Sequence, residues 1–131
     1  MARSKRKPIT TRQLAAEAAG IAESRHCTDI VVLDLRGISP VTDYFVIFTC
    51  TSDRQMRSLG EEIAEAAAEA GHRLYHAAGR DSAQWVLLDF VDVVVHLFDS
   101  EHRSYYDLEL IWGDAPRVRW RRSRKKPPGG A

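Results

Sequence analysis

Trp85-Val-Leu-Leu-Asp-Phe-Val-Asp-Val-Val-Val-His-Leu-Phe98 is the stretch whose reading decides the fold. Its β-branched, aromatic and leucine residues, with Asp89, Asp92 and His96 spread among them, predict two short strands joined by a tight turn near Val91-Asp92. Strand alternation sends Trp85, Leu87 and Asp89 to one side and Val86, Leu88 and Phe90 to the other. Both sides are largely apolar, so the sheet needs cover on two faces. Whether the rest of the chain supplies that cover bears directly on function.

Upstream, Thr10 or Thr11 is placed to cap a first helix, with Leu14, Ala15, Ala18, Ile21 and Ala22 at helical spacing before Ser24-Arg25-His26. Asp29-Ile-Val-Val-Leu-Asp-Leu35 reads as a strand, closed by the loop Arg36-Gly-Ile-Ser-Pro40. Asp43-Tyr-Phe-Val-Ile-Phe-Thr-Cys-Thr51 is a second strand, apolar on both faces and suited to a central position. Ser52 or Asp53 caps the next helix, whose stripe is Met56, Leu59, Ile63, Ala66, Ala67 and Ala70, and Gly71 follows its end. Arg73-Leu-Tyr-His-Ala77 predicts a short edge strand, and Ala78-Gly-Arg-Asp-Ser82 a turn into Trp85. Beyond Phe98, Asp99–Arg103 leads into Tyr105, Tyr106, Leu108, Leu110, Ile111 and Trp112, a third short helix ended by Gly113.

The expected class is α+β: one domain, with a five-stranded mixed sheet and three helices. Two long helices suffice for one face, and only the short third helix remains for the other. An apolar face short of cover marks an interaction surface.

A chain of 131 residues, 44% hydrophobic and 28% charged, fits one globular domain. No apolar run reaches membrane-spanning length, and the basic N-terminus leads into an alanine-rich amphipathic segment instead of an apolar signal core. These features predict a cytoplasmic protein without membrane association, with Cys27 and Cys50 as free thiols. The formal net charge of +1 conceals segregation: eleven of the nineteen basic residues lie in positions 1–8 and 117–131. The remaining eight face all eighteen acidic ones, so the middle carries about −10. The expected organisation is a basic disordered tail over 1–9, a folded domain over 10–116 and a second basic disordered tail over 117–131, in which Val118 and Trp120 stand isolated. Clustered arginine also suits contact with RNA phosphates, so rRNA contact by the tails is an expectation to be tested.

Catalytic chemistry finds little support. Asp34, Asp43, Asp89 and Asp92 fit turn and strand-end roles better than metal-assisted phosphoryl transfer, because no phosphate-binding loop accompanies them. Thr49-Cys-Thr-Ser52 before a helix offers N–H groups to an anion but lacks glycine for close approach. Cys50 with His72, His76 or His96 lacks any pattern that joins nucleophile to base. His26, His72, His76 and His102 lack metal-ligand spacing with Cys27 or with one another. No catalytic residue, metal site or cofactor is expected.

Asp43-Tyr-Phe-Val-Ile, Ser52-Asp-Arg-Gln55, the Trp85–Phe98 block and Arg103-Ser-Tyr-Tyr-Asp-Leu-Glu-Leu-Ile-Trp112 together resemble the ribosomal silencing factor family, also called Iojap-related proteins, over about residues 10–116. The resemblance implies a fold similar to nucleotidyltransferases without the catalytic acids, and a non-enzymatic translation repressor. It implies binding to the large ribosomal subunit through large-subunit ribosomal protein L-fourteen, steric blocking of the small subunit under nutrient limitation, and a homodimer when free. Family members often have glycine where this chain has Val91, and small residues where it has Cys50. Placed on this chain, the resemblance and the strand alternation together nominate Asp43, Tyr44, Phe45, Trp85, Leu87 and Asp89 as partner-binding. They assign Arg103, Tyr106, Glu109 and Trp112 to the interface or to anchoring the third helix. The rival functions are a nucleotidyltransferase-like enzyme and an RNA-binding protein that works through its tails.

Overall fold

The computed structural model describes residues 7–79, 85–103 and 114–121. The helices α1 (Thr11–Ser24) and α2 (Asp53–Glu69) and the strands β1 (Thr28–Asp34), β2 (Tyr44–Thr49), β3 (His76–Ala78), β4 (Trp85–Asp89) and β5 (Val93–Phe98) follow the expected elements, and α3 (Ser100–Arg103) adds a single turn. The sheet order is β1-β2-β5-β4-β3, with β2 and β5 parallel and every other pair antiparallel. The five-stranded mixed sheet therefore stands. The count of three helices is corrected to two helices and one turn among the described residues. The stretch expected as the body of the third helix, Tyr105–Trp112, lies outside them.

Local chemistry explains the helix boundaries. Thr10 Oγ1 accepts from the Gln13 N–H at 3.0 Å while Gln13 Oε1 accepts from the Thr10 N–H at 2.8 Å, a reciprocal capping box. Ser52 caps α2 through the Gln55 N–H at 3.0 Å. Gly71, at φ +93, lets the Gly71 and His72 N–H groups return to the Ala68 and Ala67 carbonyls. α1 ends in the same motif with His26 at φ +67 in the glycine position.

Alternation then sorts the strands. Tyr44, Val46, Phe48, Val86, Leu88, Val93, Val95 and Leu97 lie under α1 and α2, packed against Leu14, Ala18, Met56, Leu59 and Ile63. This core is continuous and apolar. The reverse face carries Val31, Leu33, Leu35, Ile47, Phe98 and Ala115, with Phe45 and Trp85 partly covered beside them.

Residues 117–121 correct the expectation of a tail that begins at 117. The Asp34 N–H donates to Pro116 O and the Val118 N–H to Val32 O, each at 2.8 Å, so this segment pairs along the free edge of β1. Val118 enters the core at 9% exposure, and Arg121 reaches Glu23 of α1 at 2.6 Å. An open strand edge invites intermolecular pairing, and this strap closes one. The two residues that look isolated in a basic run, Val118 and Trp120, are the ones that hold it down.

Candidate functional site: a groove on the reverse face of the sheet

The hairpin turn between β4 and β5 anchors one end of the reverse face. Asp89 Oδ1 accepts from the Val91 N–H at 2.7 Å, the Asp92 N–H donates to Phe90 O, and the Phe90 N–H donates to Val93 O. These bonds hold Val91 at φ +78, a conformation that costs a β-branched residue about 1–2 kcal/mol. The backbone thus accepts what glycine would adopt freely, and it points an apolar side chain outward at 50% exposure. The Asp92 carbonyl accepts from both the Asp43 and Tyr44 N–H groups, which ties the turn to the start of β2.

Next to this turn lies a groove of about 600 Å³ lined by Ser39, Val41, Thr42, Phe45, Tyr75, Leu87, Asp89, Val91, Val94 and His96. Register builds its floor, because Phe45 pairs with Val94 and Leu87 with His96. Val41 at 77%, Tyr75 at 76% and Val91 at 50% exposure form the rim, three of the four large apolar side chains that are exposed among the described residues.

His96 is the most unusual residue of the floor. It is 3% exposed, and burial pushes its imidazole pKa down to about 3, so it is neutral. The Trp85 Nε1–H donates to His96 Nδ1 at 3.1 Å, which leaves the ring proton on Nε2. Phe45 meets the ring edge-on with centroids 4.5 Å apart, and Trp85 stacks on Phe98 at 5.1 Å. His96 Nε2 and Thr42 Oγ1 are buried and meet no hydrogen-bond partner among the described residues. Two buried polar groups left unsatisfied at one groove are a costly arrangement for a surface with structural duties alone.

Five of the six residues nominated as partner-binding fit this face to different degrees. Phe45, Leu87 and Asp89 line the groove. Trp85, half-buried, supports the floor through His96 and Phe98, and Asp43, also half-buried, sits where β2 meets the turn. Tyr44 is corrected: at 1% exposure it lies under the helices, because neighbours on a strand cannot share a face. Arg103 ends α3, and Tyr106, Glu109 and Trp112 fall outside the described residues. Sequence reasoning missed Ser39, Val41, Thr42, Tyr75, Val91, Val94 and His96 as lining. Val41 and Tyr75 carried a signal, each a large apolar side chain in a loop or at a strand end. Val94 and His96 needed the register.

The candidate catalytic groups have structural uses. Asp34 takes a bidentate hydrogen bond from Arg36 at 2.9 and 2.8 Å, which holds its carboxyl below the usual range, and Asp89 builds the turn. At the start of α2 the Thr51 and Gln55 N–H groups go to Gln55 Oε1 and Ser52 Oγ, so the chain's own side chains fill the anion position. Cys50 faces the helix core and His96 the reverse face, so they do not meet. His72 Nε2 bonds to the Ile9 carbonyl at 2.6 Å. Among the described residues no three His, Cys, Asp or Glu side chains gather as a metal site, and no described helix is long and apolar enough to cross a membrane.

Comparison with known proteins identifies the architecture. The sequence model of the family described as "Ribosomal silencing factor during starvation" matches residues 8–130, so the match includes the C-terminal segment that the motif resemblance left out. The ribosomal silencing factor RsfS of Bacillus subtilis (strain 168) is 46% identical over 99 residues, 76% of this chain and 84% of that protein. A crystal structure of a Chromobacterium violaceum protein superposes with a TM-score of 0.76 at 28% identity, covering 91% of this chain and 98% of that one. One from Bacillus halodurans gives 0.67 at 36% identity over 82% and 94%. On these grounds the chain belongs to the ribosomal silencing factor family.

Proposed function

We propose that this protein is a cytoplasmic, non-enzymatic translation repressor that docks on the large ribosomal subunit through the reverse-face groove and blocks small-subunit joining by occupying space. The observation that carries the reading is the groove itself, in which a rim of exposed Val41, Tyr75 and Val91 surrounds a partly apolar floor, in a member of a family named for ribosome silencing. Interfaces concentrate their binding energy in such apolar and aromatic clusters. The partner in this reading is large-subunit ribosomal protein L-fourteen, the free form is a homodimer, and the repression acts under nutrient limitation. The domain spans residues 10–116 with the strap 117–121 closing β1, and the fold is related to nucleotidyltransferases without their catalytic acids. The remaining basic positions at 1–6 and 122–131 contact rRNA phosphates and offset the acidic body.

Sedimentation with purified large subunits tests the reading. Wild-type protein co-sediments and slows re-association with small subunits, whereas Leu87→Asp does neither while keeping its circular dichroism spectrum and melting temperature. Equal co-sedimentation of the folded Leu87→Asp protein would remove the groove from the interface. Deleting residues 122–131 flattens the salt dependence of association in this reading and leaves binding to the isolated partner protein intact.

A further inference from the structure

The register of β1 against β2 sets two buried thiols side by side. Thr28 pairs with Thr49, so the next residues outward, Cys27 and Cys50, stand opposite each other, where antiparallel partners keep their Cα atoms about 4.5–5.5 Å apart. A disulfide spans Cα separations of about 4.4–6.8 Å. Both side chains turn toward the helices and belong to the same core cluster, at 8% and 2% exposure. Both are free thiols in this structure.

Their surroundings are unequal. Cys27 follows the end of α1 and lies beside the first turn of α2, where its Sγ contacts Gln55 Oε1 at 3.7 Å. Cys50 lies deeper. The interaction of the two thiols draws the Cys27 pKa down and pushes that of Cys50 up, with burial adding to the rise at Cys50. Thiolate character and access therefore both favour Cys27 as the first to react.

We propose that Cys27 and Cys50 are a peroxide-sensitive dithiol that closes to an intramolecular disulfide, with Cys27 as nucleophile and Cys50 as resolving thiol. The Cys27 thiolate attacks one oxygen of hydrogen peroxide and the O–O bond breaks. Cys27 becomes a sulfenic acid, and the departing hydroxide takes up the proton that the Cys27 thiol released on ionising and leaves as water. The Cys50 sulfur then attacks the Cys27 sulfur, the S–O bond breaks, and the hydroxyl leaves with the Cys50 proton as a second water. Two thiols lose two electrons in all, and one peroxide is reduced to two waters.

The bond staples the α1–β1 junction to the β2–α2 junction. It sits beyond the Thr49–Phe98 end of the β2–β5 ladder, whereas the groove is built at the Phe45–Val94 end. Oxidation therefore leaves the groove as it is, and the proposal stands independently of what the groove binds. It also limits the denatured chain by closing a loop, which raises the melting temperature by several degrees, on the order of 5 °C.

The test uses the full chain, treated with hydrogen peroxide, denatured, alkylated and digested with trypsin. Both cysteines are expected to escape alkylation, and peptide His26–Arg36 to appear joined to Gly37–Arg54 in a species that dithiothreitol separates. Non-reducing electrophoresis should show a monomer. In Cys50→Ser, dimedone should trap Cys27 as a sulfenic acid, and in Cys27→Ser, Cys50 should stay unlabelled. Full alkylation of both cysteines after peroxide, or cross-links between chains alone, would overturn the dithiol. Equal dimedone labelling of Cys50 in Cys27→Ser would overturn the assignment of roles.

Discussion

The two faces of this sheet are made by the same strands, residue by residue in alternation, yet they differ in kind. The helix face is closed: Tyr44, Val46, Phe48, Leu88 and Leu97 are at most 1% exposed and meet apolar side chains of α1 and α2. The reverse face is half-closed and mixed, with a neutral buried histidine, a threonine hydroxyl that meets no partner among the described residues, and a rim of exposed apolar groups. A closed apolar face serves stability, and a face that keeps polar groups unsatisfied beside exposed apolar ones is fit to receive something. The strain at Val91 lies on the second face as well.

The largest expected effect breaks the comparison from the helix side. Phe48→Ala removes a side chain with no exposure, and it should cost about 3–5 kcal/mol in urea unfolding, with association affected only through loss of folded protein. On the reverse face the expectation inverts. Phe45→Ala should weaken association with large subunits by roughly thirty-fold, about 2 kcal/mol, while the urea midpoint moves far less. Equal losses of stability in the two variants would make the reverse face an ordinary core.

His96 sharpens the comparison through pH. Its folded pKa of about 3 lies below the unfolded value of 6.5, so the neutral ring belongs to the folded state and the unfolded chain binds the proton first. Stability contributed by the neutral ring is complete above about pH 6.5 and is lost as pH falls toward 3, at up to about 1.4 kcal/mol per pH unit. His96→Asn keeps an acceptor for Trp85 and removes the titration. Its stability should change less than the wild type's between pH 6.5 and 5, as followed by urea midpoints, and an unaltered slope would assign the pH dependence elsewhere.

The smallest effect separates stability from docking at one residue. Val91→Gly relieves the positive φ, offset in part by the entropy that glycine loses on folding, so a net gain of about 0.5–1 kcal/mol is expected. The same change removes a rim side chain and should weaken association slightly. A gain in stability with no loss of binding would take Val91 out of the interface.

Much of this was legible in the chain because it depends on neighbours in sequence. Thr10 with Gln13, Ser52 with Gln55, and Gly71 mark helix ends through bonds that span three to five residues. Period-two and period-3.6 apolar patterns locate the strands and both long helices, and the motif order from Asp43 to Trp112 carries the family. Tertiary structure alone decided the parallel pairing of β2 with β5, which joins Phe45 to Val94 across more than forty positions and sets it beside the Leu87–His96 pair of the β4–β5 hairpin, so that the two pairs make one groove. It also turned Val118 and Trp120 into a clasp on β1 and set Cys27 opposite Cys50. Such contacts rest on register between distant segments, and register follows from how whole faces pack, a quantity that no local window of residues contains.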